Sequence, residues 1–483
     1  MEYKLNGLQP EKVFKYFEEI SRIPHGSRDT KRISDYCVEF AKERNLRYIQ
    51  DESNNVIIFK DATSGYENSP HVILQGHLDM VCEKTSDSNH NFDEDPLCLI
   101  VDGDNLKADN TTLGGDDGIA VAYALAILDS DDLEHAGLEV VFTVDEEIGM
   151  LGADSIDLTP LQGKYMLNMD SDEEGIILAS CAGGVTSTIN LDVNYIKKEG
   201  LKVDIKIDGL LGGHSGAEIN KGRANANCLL GRLLFNIMEE IDANIISLYG
   251  GTKDNAIPRE SGVSLVIDES DSSVLVDICN ELQKALSKEY GVADKNIKIT
   301  VTQGENGEYS ALNNTSQLKL VFLLVNLPNG IMAMSQDIEG LVETSLNLGI
   351  LALNEENATM GFAVRSSIDT AKVALKDKVR FMAEFVGAEY TESGDYPEWA
   401  YKRESKLREV CNNVFKKQYG YDAKIEAIHA GLECGIISSK IPDIDIVSFG
   451  PNMKDIHTPN ERLSISSTKR VWDFVVEVLK ELK

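Results

Sequence analysis

Residues 71–83 read HVILQGHLDMVCE. The run of β-branched and aliphatic side chains predicts a buried strand that ends near Gly76. His77 and Asp79 follow at once, two residues apart. A strand in a plain apolar core has no need of an imidazole and a carboxylate at its end, so this pair indicates a functional site at the edge of a sheet.

The same strand belongs to an alternating series in the first third of the chain. Segments with helical periodicity alternate with short β-branched runs, which is typical of an α/β layer with a largely parallel sheet. Helices are predicted at PEKVFKYFEEISRI (10–23), TKRISDYCVEFAKERN (30–45) and GIAVAYALAILDS (118–130), and strands at NVIIF (55–59), HVILQGH (71–77), LEVVFTVDEE (138–147) and KYMLNMD (164–170).

The pattern of predicted helices and strands changes after about residue 185 and changes back near residue 395. The middle section mixes strand-like runs with helices and predicts an α+β domain. A turn-rich stretch at 390–405, with Gly394 and Pro397, marks the return to helix–strand–helix. We therefore predict an α/β domain with a mostly parallel central sheet flanked by helices, built from residues 1–185 and 395–483, with an α+β domain inserted at 186–394.

The charge balance limits the class of partner. The chain has 47 Lys and Arg against 80 Asp and Glu, a formal net charge of −33. Nucleic acids and anionic membranes repel such a surface, so neither is expected as a partner. The N-terminus has no basic segment followed by an apolar core, and no segment approaches the roughly 20 apolar residues of a membrane helix. We expect neither a secretory signal nor a membrane span.

Eight cysteines are scattered through the 483 residues without a CxxC pair. In a chain of this length such cysteines indicate reduced thiols in a cytoplasmic protein. They also speak against a zinc-finger type of thiolate site.

Several side chains that could bind metal follow the predicted strands. The ends of strands in doubly wound sheets border the ligand site, so these side chains are expected to converge. Each residue alone has an ordinary explanation as a surface histidine, a helix cap or a solvent-facing charge, but the combination is hard to dismiss. The candidates are His77, Asp116 and Asp117 at a helix start, Asp145, Glu146 and Glu147, Asp170, and His457 in the turn-rich GPNMKDIHTPNERL (450–463).

The donor set favours a particular chemistry. Imidazole and carboxylate without thiolate suit zinc, cobalt or manganese. Two neighbouring ions need one shared carboxylate and separate outer ligands. Because Glu146 and Glu147 are adjacent, one can bind metal while the other stays available as a base.

Five motifs in the order H-x-D, GGDDG, DEExG, a strand-end Asp and a distal His resemble the M20 metallopeptidases, in particular their aminoacyl-histidine dipeptidase branch. The resemblance covers essentially the whole chain. The segments that carry it are LQGHLDMVCEK (74–84), ADNTTLGGDDGIA (108–120), FTVDEEIGMLGA (142–153), LNMDSDEEG (167–175) and GLLGGHSG (209–216).

The resemblance implies a role for each motif residue. Asp116 would bridge two divalent ions, with zinc expected first and cobalt or manganese as alternatives. Glu146 would be the general base, and Asp79 would orient the imidazole of His77. A cis peptide is implied between Asp116 and Asp117. The outer ligands would be His77 on one ion and His457 on the other, with Glu147 and Asp170 divided between the two.

The resemblance also gives the inserted domain a part in substrate binding, as a lid or dimerisation domain. His214 in GGHSG would stabilise the developing oxyanion, either in its own chain or in a partner. Candidates for holding the substrate's carboxylate are Asn255 in KDNAIP, Arg365 in FAVRSS, and the main-chain N–H of Gly435 in GLECG.

The function implied is that of a cytosolic dimetal hydrolase that cleaves dipeptides, including Xaa-His dipeptides, and that forms a homodimer. One alternative is an N-acyl amino acid deacylase or carboxypeptidase of the same superfamily. A second, from another class, is a non-catalytic peptide-binding protein stabilised by metal. Glu146 speaks against the latter, since a site without catalysis has no need of an uncoordinated carboxylate.

Overall fold

The computed structural model of the protein describes residues 3–483 and divides them into two units. Unit 1 comprises the chain up to Ser180, Tyr401–Ala427 and Leu432–Lys483, and unit 2 comprises Cys181–Ala400 and Ile428–Gly431. The predicted boundaries at 185/186 and 394/395 lie five and six residues from the first two of these boundaries. The assignment of residues 428–431 to unit 2 was not predicted.

The first segment of the chain forms the three predicted helices and the four predicted strands, together with one short helix and four strands that were not predicted. Its helices are α1 (Glu11–Ile20), α2 (Lys31–Glu43), α3 (Gly115–Leu128) and α4 (Leu151–Ser155). Its strands are β1 (Arg47–Gln50), β2 (Val56–Lys60), β3 (Val72–His77), β4 (Leu99–Asp102), β5 (Asn105–Ala108), β6 (Leu138–Thr143), β7 (Tyr165–Asn168) and β8 (Ile176–Cys181).

The middle segment is richer in strands. Its helices are α5 (Ala226–Glu240), α6 (Ser272–Glu289), α7 (Asn314–Asn326) and α8 (Asp369–Phe385). Its strands are β9 (Gly183–Asp192), β10 (Tyr195–Asp208), β11 (Gly213–His214), β12 (Ala243–Thr252), β13 (Ala256–Ile257), β14 (Ser261–Ile267), β15 (Lys298–Leu312), β16 (Gly330–Met334), β17 (Val342–Leu353), β18 (Asn357–Ser366) and β19 (Glu389–Tyr396).

The tail returns to alternating elements. They are α9 (Lys406–Tyr419), β20 (Lys424–Ile428), α10 (Glu433–Lys440), β21 (Asp445–Ser448), β22 (Met453–Lys454), β23 (Arg462–Ser464) and α11 (Ile465–Glu481).

The main sheet of unit 1 is mixed. Its strand order is β1-β2-β6-β3-β7-β21-β8-β20. The pairs β6–β3, β3–β7 and β7–β21 are parallel, whereas β1–β2, β2–β6 and β21–β8 are antiparallel. The expected parallel pairing is thus found in the four central strands, while the strands that adjoin them, β2 and β8, pair with them antiparallel. The parallel strands bring the ends of β3, β6 and β7 to one edge.

Helix α3 packs closely behind this edge. The helix is apolar on all sides, and its residues from Asp117 to Leu128 are buried. A side chain at Gly76 would meet the Asp117 carboxylate at 2.5 Å and the Ala120 Cβ at 2.7 Å, so the missing side chain lets the helix approach β3. The start of α3 therefore lies directly against the end of β3.

Unit 2 is built on an antiparallel sheet with the order β15-β10-β14-β12-β17-β18-β9-β19, and β16 also pairs with β17. The buried and partly exposed residues of β9 alternate, as expected for a sheet with one face in the core. The predicted turn-rich stretch begins with a strand, β19, because residues 389–396 pair with β9 despite Gly394. The register shift between Ser393 and Tyr396 accommodates that glycine.

Among the residues that the structure describes, no helix has both the length and the apolar character required to cross a bilayer.

Candidate metal centre

The carboxylate of Asp116 lies between two imidazoles. One of its oxygens is 3.2 Å from Nε2 of His77, and the other is 3.1 Å from Nε2 of His457. His77 ends β3, and His457 lies in the loop between β22 and β23, 341 residues from Asp116. Three distant parts of the sequence therefore meet at one carboxyl group.

The backbone at the start of α3 is irregular. Asp116 has φ −85° and ψ 107°, which is not helical, and the Asp116–Asp117 peptide is cis, as the resemblance implies. The two carboxylates serve different partners. Asp116 contacts the imidazoles, whereas the buried Asp117 accepts a hydrogen bond from the main-chain N–H of His77 at 3.2 Å.

The potential ligands form overlapping groups of three, whose ligand atoms all lie within 4.8 Å of one another. Asp116 is common to two of these groups, with His77 and Asp170 in one and Glu147 and His457 in the other. A third group joins His77 to Glu146 and Glu147. The five metal ligands expected from the sequence are therefore brought together.

The spacing suits metal binding. Ligand atoms that share a tetrahedral zinc ion at about 2.0 Å lie about 3.3 Å apart. The distances from Asp116 to the two imidazoles are close to this value, and the His457 Nε2 lies 3.0 Å from an oxygen of Glu147. The donor set, imidazole and carboxylate without thiolate, also fits zinc, cobalt or manganese.

The electrostatics of the cluster also favour a cation. Burial raises the pKa of Asp170 well above its usual value, and the neighbouring Asp116 raises it further. Hydrogen bonds to Asp116 and Glu147 raise the pKa of His457 to about 10. Burial alone would lower the pKa of His77, but its bonds to Asp116 and Asp79 carry it well above 6.5. Protons thus substitute for the positive charge that bound cations would supply.

Glu146 differs from the other carboxylates. Its Oε2 lies 4.0 Å from Nε2 of His77, beyond hydrogen-bonding distance, and its side chain is 19% exposed. Burial raises its pKa to about 8 against the opposing effect of His77, and Glu433 and Glu147 add to the increase. A carboxylate that keeps solvent access and whose pKa is near neutrality is suited to exchange protons.

Asp79 contacts both sides of the centre. The Nδ1 of His77 is 2.9 Å from the main-chain carbonyl oxygen of Asp79 and 3.6 Å from its carboxylate. The carboxylate accepts hydrogen bonds from the main-chain N–H of Glu146 at 3.0 Å and of Glu147 at 3.3 Å, and from the Ser27 hydroxyl at 2.8 Å. Asp79 thus orients His77 through its main chain and holds the Glu146–Glu147 turn through its side chain.

Sequence reasoning missed a buried carboxylate behind the centre. Glu433 is fully buried, and its Oε2 accepts hydrogen bonds from Gln75 Nε2 at 2.5 Å and from the Thr143 hydroxyl at 2.7 Å. Burial raises its pKa to about 7. Glu433 therefore links the ends of β3 and β6 through Gln75 and Thr143, and Thr143 pairs with His77 in the sheet. Its place in GLECG, at the start of α10, is that of an ordinary acid in the first turn of a helix and gave no specific signal.

The main-chain N–H of Gly435 is already engaged. It donates to the carbonyl oxygen of Leu432 at 2.9 Å in the first turn of α10. A substrate carboxylate at this position would have to share or displace that hydrogen bond.

Three of the substrate-binding candidates lie in unit 2. The strand pairing of β11 with β13 places His214 opposite Ala256, next to Asn255. Burial and the charge of Arg365 lower the pKa of His214. Its Nδ1 accepts hydrogen bonds from the main-chain N–H groups of Gly216 and Ala217 at 3.2 and 3.0 Å. The neutral imidazole therefore carries its proton on Nε2, which makes that atom a hydrogen-bond donor.

Arg365 is buried in the same unit, at 8% exposure. One terminal nitrogen donates to the Tyr396 hydroxyl at 2.7 Å, and the Nε has no hydrogen-bond partner among the described residues. Its charge also contributes, after burial, to lowering the pKa of His429 to about 4. Unit 2 thus contains a buried cation that forms no ion pair with a carboxylate among the described residues.

Comparisons with known proteins agree with this geometry. The family model described as peptidase family M20/M25/M40 matches residues 73–481. The chain is 36% identical over 481 residues to the cytosol non-specific dipeptidase of Escherichia coli strain K12, an alignment that covers 99% of each protein.

Solved structures extend the likeness to three dimensions. A crystal structure of the aminoacylhistidine dipeptidase from Vibrio alginolyticus has a TM-score of 0.94 and 35% identity, covering 99% of this chain and 98% of that one. The aminopeptidase PepT from Bacillus cereus ATCC 10987 has a TM-score of 0.56 at 15% identity, covering 98% and 99%, and so shares the fold. The matched family model and the full-length relatives show that this chain belongs to the M20/M25/M40 family of peptidases.

Proposed function

We propose that the protein is a dimetal dipeptidase that hydrolyses dipeptides, including Xaa-His dipeptides. The observation that carries the proposal is the position of Asp116 between two imidazoles, with Glu146 beside them. Two full-length relatives at 36% and 35% identity are themselves dipeptidases by name, one of them an aminoacylhistidine dipeptidase.

The residues divide naturally between two ions. His77 and Asp170 would hold one ion, His457 and Glu147 the other, and Asp116 would bridge them. This division follows the two groups that share Asp116. We propose zinc as the ion, because the donors suit it, with cobalt and manganese as alternatives that the same donors accept.

When bound, two such ions acidify a water molecule and polarise the scissile carbonyl group. Glu146 is the base in this scheme. Its carboxylate accepts the proton of the attacking water and then delivers it to the amine that leaves. Asp79 keeps Glu146 in place for both transfers, since it holds the main-chain N–H of that residue.

Three of the four residues proposed to contact the substrate lie in unit 2, and Gly435 lies in unit 1. His214, with its proton on Nε2, would donate a hydrogen bond to the oxyanion. Arg365 would bind the substrate's terminal carboxylate, with Asn255 and the Gly435 N–H as further donors. A buried guanidinium with an unused N–H is well suited to a carboxylate.

We further propose a homodimer formed through unit 2. Apolar side chains are exposed together on α7 and α8: Leu318 at 63%, Phe322 at 36%, Phe381 at 69% and Phe385 at 75%. The rings of Phe322 and Phe385 lie 6.4 Å apart, so the two helices share one apolar surface. Such a surface favours association.

We place the protein in the cytoplasm. All eight cysteines are present as thiols in the described chain, and the Escherichia coli relative is named a cytosol dipeptidase. Disulfides between these cysteines in protein isolated from cells would contradict this placement.

Replacement of Glu146 by Gln tests the reaction. We expect kcat on dipeptides to fall by about 10²- to 10⁴-fold, because the proton acceptor is lost. Metal analysis should still find about two zinc ions per chain, because Glu146 is not among the proposed ligands. The control Glu134→Gln removes an exposed carboxylate of unit 1 and should behave as the parent.

The same assay should include Xaa-His dipeptides, tripeptides and N-acetyl amino acids. Parental turnover in Glu146→Gln would contradict the assignment of the base. Preference of the parent for acylated substrates would make the protein a deacylase, and tight binding of peptides without cleavage would make it a binding protein.

Metal binding should release protons. The pKa of His457 is raised to about 10, so its imidazole holds a proton at pH 7 and must lose it to bind metal, and the pKa values of His77 and Asp170 are raised as well. We expect a net release of protons on metal binding and an affinity for zinc that rises with pH. Calorimetric titration of metal-free protein in buffers of different ionisation enthalpy measures this release. His457→Ala should release fewer protons on binding metal. If the heat of metal binding is the same in all buffers, no protons are released and the expectation is wrong.

Light scattering tests the homodimer. The chain has a mass of 53.2 kDa, so the parent should show about twice that value. Phe381→Glu together with Phe385→Glu should shift the protein towards the monomer, because it places charge on the apolar surface. Val292→Glu changes a residue of unit 2 that is 92% exposed and should leave the mass unchanged. A monomeric parent would contradict the proposal.

A further inference from the structure

A carboxylate outside the metal-binding set holds the segment that leads to Asp116. Glu461 is buried, with 2% of its surface exposed. Its two oxygens accept hydrogen bonds from four consecutive main-chain N–H groups. The distances are 2.7 Å to Leu113, 3.1 Å to Gly114, 2.8 Å to Gly115 and 3.4 Å to Asp116.

The backbone conformation explains why one carboxylate can serve so many donors. Gly114 is left-handed, with φ 69° and ψ 32°. A left-handed residue in such a position turns successive N–H groups to the same side and forms a concave anion-binding cradle. The N–H groups of Gly115 and Asp116 also belong to the first turn of α3, where a helix leaves its donors without intrahelical partners. Glu461 supplies the missing acceptors.

The other end of this connection is the loop that carries His457. Glu461 lies four residues after His457, in the loop between β22 and β23. The N–H of Glu461 donates to the carbonyl oxygen of Thr458 at 3.1 Å, and the Thr458 hydroxyl donates to the carbonyl oxygen of Asp455 at 2.7 Å. The loop is therefore a closed turn, and its last residue is fixed to the segment before Asp116.

We propose that Glu461 is a positioning residue that sets the placement of His457 relative to Asp116, and through it the affinity of the second metal ion. The inference rests on the proposed function, since it assumes that these two residues are ligands. Glu461 itself is not a ligand in this account, because both of its oxygens are occupied by main-chain donors.

The variant that tests this role is Glu461→Gln. The amide keeps the size of the side chain, but it replaces one acceptor oxygen with a donor that faces main-chain N–H groups. The matched control is Glu139→Gln. Glu139 is also 2% exposed and accepts the main-chain N–H groups of Gln162 and Gly163, each at 2.9 Å. It lies near the first residue of β6, at the end of the strand away from Thr143.

Metal-free protein is titrated with Co²⁺, followed by visible absorption and calorimetry, and His457→Ala identifies the step that belongs to the second ion. We expect Glu461→Gln to raise the dissociation constant of that step by about 10- to 100-fold, the usual effect of losing a residue that supports a ligand. Glu139→Gln should leave both steps unchanged. Turnover of Glu461→Gln should recover as the metal concentration rises, which a general loss of stability would not produce.

Two outcomes separate this inference from the proposed function. If the parent binds two ions and Glu461→Gln titrates like Glu139→Gln, Glu461 does not position the centre. If the parent does not bind two ions, the proposed function itself fails. Glu461→Asp gives a second test should the Gln variant not fold, because it keeps the charge on a shorter side chain. Glu461→Asp should also bind the second ion more weakly than the parent. If its dissociation constant for that ion equals the parent's, the inference is wrong.

Discussion

The whole site depends on one carboxylate that meets two imidazoles. Asp116 contacts His77 on one side and His457 on the other, and a single bridging acid can serve two ions only if both partners are held within about 3 Å of it. The architecture of unit 1 satisfies this requirement. Parallel pairing of the central strands brings β3, β6 and β7 to a common edge, and the absent side chain at Gly76 lets α3 deliver Asp116 to that edge.

Carboxylates that are not proposed as ligands hold the segments that carry the ligands. Asp79 holds the main chain of the Glu146–Glu147 turn, Glu433 joins the ends of β3 and β6, and Glu461 holds the segment before Asp116. Each is buried and hydrogen-bonded, as a buried charge requires. Burial raises the pKa of Glu146 to about 8, and the neighbouring acids add to that increase. Cations would relieve this crowding, so the fold and the metal chemistry depend on each other.

Much of this arrangement could be predicted from the sequence, because donor residues at strand ends carry a readable pattern. The motifs identified the family and the segments whose side chains meet at the centre, and the resemblance implied the cis peptide at Asp116–Asp117. The antiparallel flanks of the main sheet and strand β19 could not be predicted in the same way, because strand pairing depends on distant partners. Glu433 and Glu461 also escaped prediction. Their partners are main-chain or strand-end groups remote in sequence, and nothing in residue type distinguishes such acids from surface charges.

The most direct test of the account is anomalous diffraction from crystals of the protein grown with zinc. Two peaks should appear, one on each side of the Asp116 carboxylate and each about 2.0–2.2 Å from one of its oxygens. His77 should contact one ion and His457 the other, with Glu146 bound to neither. A single peak, or a pair of peaks without Asp116 between them, would contradict the bridged centre and with it the proposed reaction.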